Sequence, residues 1–155
     1  MMQAITSSKK DYPKATQILE TLIQKNPYCS KAWSLMGDLY AYQNMEEHAL
    51  KNYQKCNEID NACLTDIGYF YYKKNEYKTA LDYYEQAISQ DSTNKYAHHW
   101  AGWCYVLINQ YKKAVLSFEN AIQLDNQYAY AYNGLGVTYE LLKDYPEAIS
   151  MYEKP

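Results

Sequence analysis

The sequence is poor in the residues that usually mark catalysis, membranes or nucleic acid. It has no long apolar run, no signal-peptide pattern and no lipidation motif, so an intracellular, cytoplasmic protein without direct membrane insertion is expected. Net charge is −3, and the lysines stand singly or in pairs such as Lys9-Lys10, Lys73-Lys74 and Lys112-Lys113. Without a basic stripe, no nucleic-acid partner is expected. The four cysteines, Cys29, Cys56, Cys63 and Cys104, show neither CxxC spacing nor histidines at metal-site intervals. Reduced, packed thiols in a reducing compartment are therefore expected. His98 and His99 are adjacent, and neighbours on a helix point about 100° apart, so they do not chelate one ion together. No Ser-His-Asp order, phosphate loop or paired-carboxylate cleft can be made out. The reading is non-catalytic, with no metal and no cofactor.

What the chain has is tyrosine and repetition. Hydrophobic residues make up 48% of the chain, and 20 residues are Tyr against two Phe. Tyrosine packs its ring and keeps its hydroxyl wet, which suits a thin fold with much half-buried surface. In Lys95 to Tyr128 the spacing predicts two amphipathic helices joined by a tight turn. Ala101, Gly102 and Tyr105 share one stripe; Ala114, Phe118 and Ala121 share the other. Gly102 and Ala114 are expected to let the two backbones approach, with the aromatics beside that contact. The same pair recurs as Gly37/Ala49, Gly68/Ala80 and Gly136/Ala148. An aromatic follows each glycine by three (Tyr40, Tyr71, Tyr105, Tyr139) and each alanine by four (Tyr53, Tyr84, Phe118, Tyr152). The glycines step by 31, 34 and 34 residues.

This pattern resembles the tetratricopeptide (TPR) repeat, whose W-x2-L-G-x2-Y…A-x3-F signature appears in Trp33, Met36, Gly37, Tyr40, Ala49 and Tyr53. The resemblance implies an all-α, right-handed superhelical solenoid of antiparallel helix pairs, about four and a half repeats in all. Residues 1–29 read as a partial repeat, 30–60, 61–94 and 95–128 as full repeats, and 129–155 as a truncated one, together a single array. In the first, Ala15, Leu19 and Leu22 are expected to face inward after Tyr12-Pro13, with a short first helix in Met1 to Lys9. The 31-residue step takes nearly one helical turn out of the junction from Glu58 to Cys63. Asn44, Asn75 and Asn109 fall where a left-handed turn residue is needed, and Asn61, Ser92 and Asn126 where the family usually has proline. The chain stops inside a second helix without a polar cap, so a longer solenoid is expected.

The core stripe occupies positions at, one before, four before and three after each glycine, which places His98 inward. A second stripe, six and three before and one and four after, faces the concave groove that TPR arrays use for peptides or helices. From these the candidate groove residues are Tyr69, Tyr72, Tyr96, His99, Trp103, Tyr130 and Asn133, with Trp100 bordering the same face. An aromatic groove clamps apolar side chains. The carboxylate clamp of chaperone adaptors needs a set of cations here, and only Lys31 is present. The asparagine ladder of another subclass is replaced by Leu35, Asp66, Trp100 and Gly134. The expected partner is an apolar or aromatic peptide or helix within a complex; the alternative is a structural scaffold subunit contacting partners through its convex face and uncapped ends.

Overall fold

A computed structural model describes residues 11–154. Among them the structure is helical throughout: α1 (Tyr12–Lys25), α2 (Ser30–Tyr42), α3 (Glu46–Asp60), α4 (Leu64–Lys73), α5 (Tyr77–Gln90), α6 (Lys95–Leu107), α7 (Tyr111–Leu124), α8 (Ala129–Leu141) and α9 (Tyr145–Tyr152). The segment Met1 to Lys9 lies outside the described residues. The chain divides into two compact units, the first ending at Ile67 and the second starting at Gly68.

Short-range chemistry sets the helix ends. Asn44, Asn75, Asn109 and Lys143 take left-handed φ values of 57°, 63°, 60° and 63° in the turns within helix pairs. The three asparagines tolerate that region, as expected; Lys143 enters it at some cost. The next residue's N–H closes each turn on the tyrosine carbonyl five back: Met45 on Tyr40, Glu76 on Tyr71, Gln110 on Tyr105 and Asp144 on Tyr139. Between repeats the bonding residue is one earlier than expected. Asn26, Asp60, Asp91 and Asp125 fold their side-chain oxygens onto the N–H two residues on, at 2.9–3.2 Å.

In the first unit, Leu19, Met36 and Leu39 form a small core with Ala15, Ile23 and Tyr40 against it. Leu22, expected inward, is 48% exposed. The apolar row of α1 runs Ala15, Leu19, Ile23, at spacings of four, and leaves Leu22 to one side. Gly37 makes room for a ring rather than for backbone: a Cβ there would lie 2.5 Å from the Tyr53 ring. The Tyr53 hydroxyl donates to Asp38 at 2.9 Å, and burial followed by that bond pushes its pKa up. Helix α4 has 10 residues where α2 has 13, so the short repeat loses its residues from the start of its first helix.

The expectation of reduced thiols is corrected at this junction. Cys56, at the end of α3, and Cys63, just before α4, are joined by a disulfide with their Cα atoms 6.0 Å apart. The shortened link, turned by left-handed Asn61, brings them into range. Cys29 and Cys104 are free. The argument for a reducing compartment from packed thiols loses that support.

In the second unit, Ala80, Tyr84, Ala101, Cys104, Ala114, Phe118, Ala121 and Leu135 belong to one buried cluster. Tyr84 sits on Gly68, and Phe118 lies between Gly102 and Gly134. The inward face is broader than a four-position stripe. Ala97 and Ala131, five before their glycines, and Cys104 and Thr138, two after, are essentially fully buried. Small side chains there admit the neighbouring helix, a demand that one hairpin's spacing does not reveal.

Candidate peptide-binding face

The candidate residues all lie in the second unit, on α4, α6 and α8, the first helices of their pairs. Tyr69 and Tyr72 come one turn apart on α4, and both rings meet Trp100 of α6 at 4.9 Å between centroids. These three pack against one another, which excludes an open aromatic cage between them. Trp100 then contacts His99 at 5.1 Å. Around His99 stand Trp103, Tyr128, Tyr130 and Phe118, all within 6.4 Å. His98 is also buried, as its core position implies, with a ring nitrogen 3.1 Å from the Ser92 carbonyl.

His99 differs from the sequence expectation. It is only 5% exposed, so it supports the face from beneath rather than presenting a ring to solvent. Its Nδ1 is buried without a hydrogen-bond partner. Desolvation disfavours the imidazolium and lowers its pKa to about 4, so the ring is neutral at pH 7. Trp103 and Trp100 are half-buried, whereas Tyr69, Tyr96 and Tyr130 are 42%, 54% and 71% exposed. Asn133 is exposed one turn along α8 from Tyr130.

Sequence reasoning missed Tyr128. Its ring bridges Tyr96, at 5.9 Å, and Tyr130, at 5.7 Å, and stacks its edge on His99. Burial raises its pKa to about 12. It precedes α8 at the position where Asn94 precedes α6 and caps it through Ala97 N–H. The loss of that capping asparagine, 34 residues on, is the signal that was available. Lys95 holds the same end together: its ammonium pairs with Asp125 at 2.5 Å and lies 5.2 and 5.1 Å from the Tyr96 and Tyr128 ring centres.

Family models described as "Tetratricopeptide repeat" match residues 30–63 and 62–94, and one described as "TPR repeat" matches 104–143. The chain belongs to the tetratricopeptide repeat family. It is 28% identical over 94 residues to anaphase-promoting complex subunit 3 of Schizosaccharomyces pombe, a match covering 59% of this chain and 14% of that protein. It is 29% identical over 90 residues to Hsp70-Hsp90 organizing protein 1 of Glycine max, covering 56% and 16%. The matched stretch is thus a small part of either relative. Among solved structures, MamA superposes with a TM-score of 0.81 at 19% identity, covering 95% of this chain and 88% of that one. YrrB, a TPR protein with an unusual peptide-binding site, gives 0.73 at 20% identity, covering 96% and 78%. These likenesses establish the TPR solenoid fold, and that fold supports a protein–protein interaction module. No helix among the described residues is long and apolar enough to cross a membrane.

Proposed function

We propose that the second unit binds a partner peptide or helix on the face formed by α4, α6 and α8, without catalysis. One observation carries the reading: Tyr96, Tyr130 and Tyr69 stand exposed on a base of buried and half-buried rings. Rings fixed by their neighbours lose little freedom on binding, so the partner bears most of the ordering cost. The partner's chemistry is apolar or aromatic. It is not a clamped carboxylate tail, because the face presents rings where a clamp needs several cations, and Lys95 beside Tyr96 and Tyr128 already faces Asp125. Hsp70-Hsp90 organizing protein and anaphase-promoting complex subunit 3 are named for assembly with other proteins, which agrees with a role inside a complex.

Selection of a random peptide library on the whole chain tests this. An enriched apolar or aromatic motif is expected, with retention falling to background for Tyr96→Ala/Tyr130→Ala. Equal retention by that variant would move recognition elsewhere. The scaffold reading has its own support in exposed Leu116, Tyr145 and Ile149, each 58–59% exposed on the second helices. No enriched motif in the selection, with intact assembly into a complex, would favour it.

A further inference from the structure

The first unit contains a cleft of about 580 Å³ where α1, α2 and α3 meet. Met36 is buried at its base, Trp33 and Tyr40 are half-buried walls, and His48, Lys51 and Lys55, with Glu20 of α1, are exposed around its mouth. The Trp33 indole N–H donates to the Pro27 carbonyl at 2.8 Å, which fixes that wall. Tyr40 and His48 lie ring to ring at 5.2 Å.

The second unit offers an internal comparison. A cleft of about 310 Å³ there is built from the same positions, 65 residues later: Glu85 for Glu20, Ile88 for Ile23, His98 for Trp33 and Tyr105 for Tyr40. That cleft is narrowed, since the Tyr105 hydroxyl donates to Glu85 at 2.5 Å and the Lys113 ammonium lies 5.3 Å from the Tyr105 ring centre. In the first unit Tyr40 turns to His48 instead, and the cleft is nearly twice as large. The mouth differs in charge too: Lys51 and Lys55 stand where the second unit has Leu116 and Asn120. A dent between hairpins thus occurs in both units, and the one in the first unit is aromatic and carries two lysines beside Glu20.

We propose that this cleft binds an acidic segment of a partner protein, separate from the tyrosine face of the second unit. An apolar side chain rests on Met36 between Trp33 and Tyr40, and flanking carboxylates meet Lys51 and Lys55. Lys55 is paired with exposed Glu58 at 2.6 Å, and such a surface pair is weak enough to exchange for a ligand carboxylate. Charge complementarity of this kind sets specificity and association rate, and it weakens with salt.

The test titrates the 15N-labelled whole chain with the peptide Ser-Glu-Glu-Leu-Glu-Phe-Glu-Gly and with its counterpart carrying lysine for each glutamate. The acidic peptide is expected to shift the Trp33 indole N–H and the amides of α3, with affinity falling as salt is raised. The exposed double change Lys51→Glu/Lys55→Glu should weaken it at least tenfold and let the lysine peptide bind instead. No shift with the acidic peptide, equal binding of both peptides, or shifts confined to Tyr96 and Tyr130 would each overturn the proposal. The last result would leave the tyrosine face standing alone, so the two readings fail separately.

Discussion

Replacing His99 with leucine removes an acid-sensitive element from the core of the second unit. In the folded chain the imidazole pKa is about 4, against an ordinary 6.5, because burial penalises the cation. As pH falls below 6.5 the unfolded chain takes up a proton that the folded chain refuses. Stability is therefore full above that point and lost on the way down to about pH 4. Linkage with these two values gives a loss of about 2 kcal/mol at pH 5 and about 3 kcal/mol at pH 4. Repeat arrays open piecewise, so the assay is a urea titration read from amide resonances of α6 and α7, the helices holding His99 and Phe118. For the unchanged chain the midpoint should drop between pH 7 and pH 5; for His99→Leu most of that drop should vanish. Comparing slopes cancels whatever leucine does to packing. An equal drop in both chains, or a His99 titration near 6.5 by NMR, would refute the argument.

Four further outcomes are expected. Asp66, lifted to about pH 6 by burial and then by Asp38, opposes His99: its protonation is easier in the folded chain, so the first unit gains stability as pH falls from 6 towards 4. Asp66→Asn should raise the urea midpoint of the first unit at pH 7 and flatten that gain. Gly102→Leu places a side chain where even a Cβ meets Phe118 at 2.7 Å, and should cost on the order of 1–3 kcal/mol or more, read as a lower melting temperature. Gly68→Leu meets Tyr84 at the same 2.7 Å and should act likewise; no change in either would disprove the placement of the core. Cleaving the Cys56–Cys63 disulfide with dithiothreitol should lower the stability of the first unit by about 2 kcal/mol, and Cys56→Ser/Cys63→Ser should match the reduced chain.

The repeats were legible because their determinants are local. Glycine to alanine to aromatic spacing fixes one hairpin, and asparagine at the turn needs no distant partner. That is why the turns at Asn44, Asn75 and Asn109 were readable. What escaped depends on neighbours. Leu22 and Ile23 are equally apolar, and only the contact with α2 decides between them. Ala97 and Ala131 look unremarkable until the next helix needs the space. The disulfide was hidden because cysteine seven residues from cysteine has no pairing signature, and a left-handed Asn61 is needed to fold the link back. At the tyrosine face, the aromatic roster could be read, but the enclosure of His99 and the bridging by Tyr128 arise from rings drawn from α6, α7 and the start of α8.

Phe118 belongs to one hairpin by chain order, yet its ring is clasped between Gly102 of that hairpin and Gly134 of the next. During synthesis, α6 and α7 can pair as soon as both have left the ribosome, but the far side of that ring stays bare until α8 follows. A nascent chain halted near residue 128 would carry this uncovered phenylalanine as a chaperone-binding mark, and one extended past 141 would lose it.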